Sequence, residues 1–301
     1  MNSQQKKIRQ LLKERRGILL VHYYQRPEIQ EIADVLGDSL ALSMAAAKND
    51  AAVIVFAGVH FMAQSAALLA PEKTVLLPRP DAGCPLADMA SVEAVQKMRR
   101  EEPGACFVTY INSTAEVKAA SDICCTSSNA VAVVNSLKDK RKIIMLPDGN
   151  LARFVSRQSD KEITAWPGYC PVHHFLKAAD VAAKKSEYPS ALFAAHPECP
   201  GEILALADFV GSTGAILQFV RTSAAREIII GTEEGILTEL QKQNPGKKFI
   251  MASPQLVCPD MKKITLDDIE KSLATMQPVI TVPEEIRVSA RRALDRMLAV
   301  S

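Results

Sequence analysis

Aromatic residues make up only 5% of this 301-residue chain, too few for the stacking platforms that hold single-stranded nucleic acids. Charge of one sign is also lacking. Thirty-six basic against 34 acidic side chains leave a net +2, so the total shows no footprint for nucleic acid or a membrane surface. The longest apolar stretch, residues 51–59, falls far short of the roughly 20 residues that cross a bilayer. Residues 1–16 are charged throughout and have no apolar centre, unlike a secretory signal. No low-complexity segment and no Pro/Gly/Ser-rich linker interrupts the chain. These absences point to a soluble, cytoplasmic protein with neither nucleic acid nor membrane as partner.

What is present is an ordinary globular composition. Apolar residues at 48% and charged residues at 23% support a substantial core and exclude disordered, collagen-like and small disulfide-scaffold chains. The length fits two average domains or three small ones. Seven cysteines, an odd number in a chain without an export signal, suit metal binding or catalysis better than disulfides. Basic runs near residues 6–16 and 138–142 read as solvated surface.

Nine short β-rich runs, at 18–21, 52–57, 74–77, 106–109, 143–146, 163–165, 191–195, 228–230 and 249–251, alternate with segments of helical apolar spacing. That alternation implies parallel sheets covered on both faces. A repeat lies within it. His22-Tyr23-Tyr24, Tyr110-Ile111-Asn112 and His196-Pro197-Glu198 each follow an apolar run. Twelve residues after each first position stands an aspartate, Asp34, Asp122 or Asp208, and five further on a hydroxyl, Ser39, Ser127 or Thr213. Then come Cys84-Pro85, Cys170-Pro171 and Cys258-Pro259, 50, 48 and 50 residues beyond the aspartates. Three homologous α/β units follow: an α/β fold of three similar three-layer αβα domains with short parallel sheets. Their expected bounds are 1–103, 104–186 and 187–270, with a C-terminal helical segment, 271–301, packing on the first.

Ligands of open parallel sheets bind beyond the carboxyl ends of the strands, where the pairs 22/24, 110/112 and 196/198 are expected. Ser39, Ser127 and Thr213 precede helical patterns and read as helix N-terminal hydroxyls, where free backbone N–H groups and the helix dipole favour anions. The repeating aspartates precede turns and read as structural. Around a common axis, such units aim three cysteines, three polar pairs and three helix ends at one cavity.

Three thiolates from distant segments suit two metal chemistries. One is a Cys₃His zinc site, with His173 three residues after Cys170. The other is a [4Fe–4S] cluster with three cysteine ligands, one per chain, whose fourth iron stays open as a Lewis acid. Matched repeat positions, each before proline, favour metal over buried structural thiols. Cys106, Cys124 and Cys125 read as packing, and Cys199 as a neighbour of the cavity but no ligand. Gly37-Asp38-Ser39-Leu40 also spells a serine-esterase signature, but no histidine follows His196 and the motif reads as following a helix-like segment, so an esterase is set aside.

The segments His22-Tyr23-Tyr24-Gln25, Gly37-Asp38-Ser39-Leu40, Tyr110-Ile111-Asn112-Ser113-Thr114, Trp166-Pro167-Gly168-Tyr169-Cys170-Pro171-Val172-His173, His196-Pro197-Glu198-Cys199, Gly211-Ser212-Thr213-Gly214 and Cys258-Pro259-Asp260-Met261-Lys262 closely resemble quinolinate synthases, from about residue 18 to the C-terminal helix. The resemblance implies three α/β domains about a pseudo-threefold axis with a central [4Fe–4S] cluster. It implies condensation of iminoaspartate (iminosuccinate) with dihydroxyacetone phosphate to quinolinate, with loss of phosphate and two waters, early in NAD biosynthesis. An aspartate oxidase or dehydrogenase would supply the imine. By position, Cys84, Cys170 and Cys258 would hold the cluster. Substrate contacts would come from His22, Ser39, Tyr110, Ile111, Asn112, Ser127, His173, His196, Pro197, Glu198, Ser212 and Thr213. Tyr24 and Glu198 would move protons, with His22, Tyr110 and His196 beside them. In a dry cavity Glu198 is expected to have a raised pKa. Some members carry a Cys-x-x-Cys-x-x-Cys run at the last ligand. Here Asp260 and Met261 follow Cys258, so no disulfide switch is expected. Other readings are the zinc module and another [4Fe–4S] hydro-lyase.

Overall fold

The computed structural model describes residues 1–139 and 141–300. Lys140, within the basic stretch 138–142, and Ser301 lie outside the described residues. Among the described residues twelve strands form three four-stranded sheets. The first contains β1 (Gly17–His22), β2 (Val35–Gly37), β3 (Val53–Ala57) and β4 (Thr74–Leu76). The second contains β5 (Cys106–Tyr110), β6 (Ile123–Cys125), β7 (Lys142–Leu146) and β8 (Glu162–Ala165). The third contains β9 (Leu192–Ala195), β10 (Phe209–Val210), β11 (Glu227–Gly231) and β12 (Lys248–Met251). Their orders are β2-β1-β3-β4, β6-β5-β7-β8 and β10-β9-β11-β12, the same topology three times. Among the described residues every pairing between these strands is parallel.

Central strands such as Val53–Ala57 and Cys106–Tyr110 are buried at every residue, as sheets covered on both faces require. Burying one Ile or Leu side chain stabilises by about 1.5–3 kcal/mol, whereas a surface ion pair adds only about 0–1 kcal/mol. The core therefore dominates over pairs such as Arg9–Asp34, whose side chains are 37% and 26% exposed.

The sequence shows nine strands; β2, β6 and β10 are the three it does not. Each is an edge strand of two or three residues, too short for any periodicity. Each starts directly after a repeating aspartate, and those aspartates do the same work three times. Leu19 N donates to Asp34, Phe107 N to Asp122 and Phe193 N to Asp208, all at 2.8 Å. In return Asp34 N, Asp122 N and Asp208 N donate to the carbonyls of Leu19, Phe107 and Phe193. The aspartate thus staples the start of each edge strand to the first strand of its sheet, consistent with a structural role. Because Gly37 ends β2, the Gly-Asp-Ser-Leu segment follows a strand, not a helix as the sequence suggested.

The helix Leu266–Thr275 packs on the helix Ser3–Glu14 and on β3. The boundary read at residue 270 therefore falls inside one helix that lies against the first sheet. The C-terminal helix Glu284–Leu298 buries Ala290, Ala293, Leu294 and Met297. Besides the helix His60–Leu69 it covers β6 and the helix Ala115–Ala119 of the second unit, so it spans two units where packing on the first alone was expected. Arg291 fixes it by donating to the carbonyls of Leu68 and Leu69, and Arg296 by donating to that of Asp122. Its apolar stripe caps the exposed side of edge strand β6.

Candidate active site

The carboxyl ends of the three sheets open on one cavity of about 140 Å³. His22 ends β1, Tyr110 ends β5 and His196 follows β9, which puts the three polar pairs where parallel sheets bind ligands. Cys84, Cys170 and Cys258 lie in the loops after β4, β8 and β12, the last strand of each sheet, and all three line this cavity. They are half-buried, while Cys106, Cys124, Cys125 and Cys199 are fully buried and lie outside it. Burial pushes the Cys258 thiol up to about 11, and those of Cys84 and Cys170 also above the ordinary value. Beyond burial, Cys84 is raised by the charge of Cys258, and Cys170 by those of Glu198 and Cys84.

Two of the cysteine loops are anchored alike. Cys170 N donates to Asp148 at 3.2 Å and Cys258 N to Glu233 at 3.0 Å. Both carboxylates are buried, and each follows the third strand of its sheet, β7 or β11. Lys262 pairs with Glu233 at 2.9 Å and donates to the carbonyl of Tyr24 at 2.7 Å, tying the Cys258 loop to the end of β1. Gly168 has to be glycine, because a Cβ there would collide with the Pro147 carbonyl. Trp166 Nε1 donates to the Met89 carbonyl at 2.8 Å, joining the Cys170 loop to the segment after Cys84.

His22, Tyr24, Ser39, Tyr110, Asn112, Ser127, His173, His196, Glu198 and Thr213 all line the cavity. Ile111, Pro197 and Ser212 are not among its lining residues. Ile111 is buried and its N–H bonds the Cys125 carbonyl. The helix-end expectation holds with a shift. Asp38 and Ser212 are the capping residues of the helices Ser39–Lys48 and Thr213–Thr222, so Ser39 and Thr213 are first helical residues. Ser127 precedes the cap of the helix Ala130–Ser136 by two residues. The units meet directly here: Ser128 Oγ donates to Asp38 at 3.0 Å and lies 2.8 Å from Ser212 Oγ.

Glu198 is the hub. Tyr110 donates to its Oε1 at 2.7 Å, and His173 Nδ1 lies 2.7 Å from its Oε2. Burial works against its charge and is the largest influence. The facing His196 and His173, with hydrogen bonds from His173 and Tyr110, outweigh it and hold the carboxyl below its ordinary value. The raised value expected for a dry cavity is thus reversed, because the cavity supplies donors as well as dryness. Burial lowers His22 to about 4 and His196 to about 3, so both rings are neutral near pH 7. His196 Nδ1 accepts from Glu198 N, so its Nε2 carries the proton and donates to Ser127 at 3.2 Å. His22 Nδ1 likewise accepts from Tyr24 N at 3.1 Å. Burial raises Tyr24 and Tyr110 well above the usual phenol value. Among the described residues, no Lys or Arg lines the cavity, so an anion there meets neutral donors and helix ends. Asn112 Oδ1 is buried without a protein partner, a polar atom left for a bound molecule.

Thr232, Asp148 and Glu233 escaped the sequence reading. They follow β11 or β7, and only their place at strand carboxyl ends, shared with His22 and Tyr110, signalled them.

Comparison with known proteins adds to this geometry. A protein-family model described as "Quinolinate synthetase A protein" matches residues 6–299. A quinolinate synthase of Geobacter metallireducens is 59% identical over 293 residues, covering 97% of this chain and 96% of that protein. Quinolinate synthase 1 of Methanosarcina acetivorans is 52% identical over 295 residues, covering 98% and 97%. A quinolinate synthase of Dehalococcoides mccartyi is 52% identical over 294 residues.

Proposed function

The chain belongs to the quinolinate synthase family, and on that footing we propose that it condenses iminoaspartate with dihydroxyacetone phosphate to quinolinate, releasing phosphate and two waters. The observation that carries this reading is the convergence of Cys84, Cys170 and Cys258, one from each sheet, on the cavity that also holds Glu198 and Tyr24. The donor set fits a [4Fe–4S] cluster: three partly buried thiols, one from each sheet, line one cavity, with four other cysteines buried away from it. When bound through three cysteines, such a cluster supplies an open iron as a Lewis acid toward a substrate oxygen.

The remaining work falls to the protein. Ser39 and Thr213, at the starts of ten-residue helices, and Ser127 donate to the phosphate and carboxylate oxygens, aided by the helix dipoles. The neutral His22 and His196 orient the dicarboxylate, and Asn112 offers its unpaired amide oxygen to the imine N–H. Ionised Glu198 accepts a proton from carbon or nitrogen, and Tyr110 holds that carboxylate in place. Tyr24 delivers or removes the second proton. Ser212 acts by capping its helix, and Ile111 and Pro197 by shaping the strand ends that carry the polar pairs. The imine is short-lived in water, so an aspartate oxidase or dehydrogenase is the class of enzyme that would supply it. Among the described residues no helix is long and apolar enough to cross a membrane, in keeping with a cytoplasmic enzyme.

A second reading has one observation behind it: donor atoms of Cys170, His173 and Glu198 lie within 4.8 Å of one another, as a zinc site would need. Both ring nitrogens of His173 are engaged, however, with Glu198 at 2.7 Å and Thr232 at 2.9 Å, which favours the three-cysteine arrangement. Anaerobic purification with quantitation of iron, sulfide and zinc tests this. About four irons per chain, with quinolinate formed from dihydroxyacetone phosphate and freshly generated iminoaspartate, is the expected result. Stoichiometric zinc, or no product from an iron-loaded enzyme, overturns the reading.

A further inference from the structure

Lys118, on the short helix Ala115–Ala119 of the second unit, is fully buried. Burying an ammonium is costly unless an anion accompanies it. Its partners among the described residues are the carbonyl of Ser113 and the face of the Phe61 ring, 5.5 Å from the ring centre, and neither carries charge. Thr114, which caps the lysine's helix, lines an outer cavity of about 290 Å³ together with Phe61 and Cys84. Phe61 and Cys84 also line the central cavity, so the ring under the ammonium and the first cysteine belong to one wall. We propose that Lys118 is a positioning residue for the metal centre, its ammonium serving as the buried counter-charge to the thiolates of Cys84, Cys170 and Cys258.

The charges around Lys118 point to the cysteines. Burial lowers the lysine to about 8, while the charges of Cys124, Glu116 and Cys84 raise it. Cys124 is a neutral thiol near pH 7, pushed up to about 12 by burial. Glu116 is half-buried and acts on the lysine without a hydrogen bond to it. Cys84 is the group whose charge changes when metal binds. Without metal, burial holds all three cavity thiols above their ordinary value, and the ammonium is uncompensated. Binding through sulfur removes the thiol protons and puts lasting negative charge beside the wall that Phe61 and Cys84 share. Among the described residues no Lys or Arg lines the central cavity, and Lys262, beside the Cys258 loop, is matched by Glu233 at 2.9 Å. A fixed cation favours the more negative of two oxidation states, and away from solvent salt screens it little. Lys118 therefore raises the potential at which the bound cluster accepts an electron. A bond to the Ser113 carbonyl alone would need only a donor, which an uncharged amide also supplies.

The proposal rests on the cysteine-held [4Fe–4S] reading given above. Lys118→Met keeps the volume and removes both charge and donor, whereas Lys118→Gln removes the charge and keeps a donor for Ser113. In the metal-free protein, Lys118→Met is expected to raise the unfolding midpoint above that of wild type, because it removes an uncompensated buried charge. In the anaerobically loaded enzyme, a reductive titration followed by electron paramagnetic resonance gives the cluster potential. Both variants are expected to shift it to more negative values. At a fixed potential their reduced-to-oxidised ratio should fall about tenfold, which is about 59 mV for one electron. Iron and sulfide measured on the same samples establish equal loading. A potential unmoved in Lys118→Met, a wild-type potential in Lys118→Gln, or a metal-free Lys118→Met less stable than wild type each overturns the proposal. Wild type that takes up no iron and sulfide overturns the cluster reading and the proposal together. A loaded wild type with unmoved variant potentials overturns the proposal alone and leaves that reading standing.

Discussion

Tyr110 donates its phenolic hydrogen to Glu198 at 2.7 Å across 88 residues of sequence. Tyr110 ends β5 of the second sheet and Glu198 lies three residues beyond the end of β9 of the third, so this bond exists only once the second and third units have docked. Glu198→Gln is expected to keep the metal and lower turnover by about 10²–10⁴-fold, the usual contribution of a positioned acid–base group. Tyr110→Phe should lower it less, because His173 still holds the carboxylate. Iron content and kcat measured on the same samples check both.

Cys84→Ala, Cys170→Ala and Cys258→Ala are each expected to lose bound iron and activity together. Cys124→Ala, which removes a thiol buried in the edge strand β6, is expected to keep iron at the wild-type level. A ligand variant with full iron and full turnover removes that cysteine from the set.

Asp148 and Glu233 hold the backbone N–H groups of Cys170 and Cys258. Asp148→Ala and Glu233→Ala leave buried donors unpaired, a cost of about 1–3 kcal/mol each. Reduced iron retention on gel filtration and a lowered unfolding midpoint are expected, whereas Glu102→Ala, in an ion pair on the surface, should change neither.

Burial lowers His22 from 6.5 to about 4. The unfolded chain therefore takes up this proton at a higher pH than the folded one. The sign is that stability is full above about pH 6.5 and declines as pH falls toward 4, by about 3 kcal/mol from this residue. In His22→Gln the decline of the unfolding free energy across that window should be smaller by this amount, the part from His196 remaining. An equal acid dependence in both proteins would show that His22 is not the group responsible.

Asp34→Ala, Asp122→Ala and Asp208→Ala each remove an acceptor from a strand N–H and should cost about 1–2 kcal/mol of stability without changing KM. Denaturant unfolding beside steady-state kinetics separates the two effects.

The period of 86–88 residues was legible in the sequence because each unit repeats the same local requirements: an apolar strand, a polar pair at its end, an aspartate and a cysteine before proline. Local chemistry recurs with the chain and is read along it. β2, β6 and β10 were not legible, since two or three residues carry no periodicity and their pairing comes from the aspartate staple and a neighbouring strand. Nor was the charge state of Glu198, where the burial foreseeable from its surroundings is outweighed by the facing His196 and His173 and by hydrogen bonds from His173 and Tyr110. The same holds for Thr232, which touches Tyr24 across 208 residues and His173 across 59. Sequence alone determined the units, their order and the residues that repeat. Tertiary structure decided which of those residues share a space, because hydrogen-bond direction and desolvation depend on distances between segments that spacing along the chain does not encode.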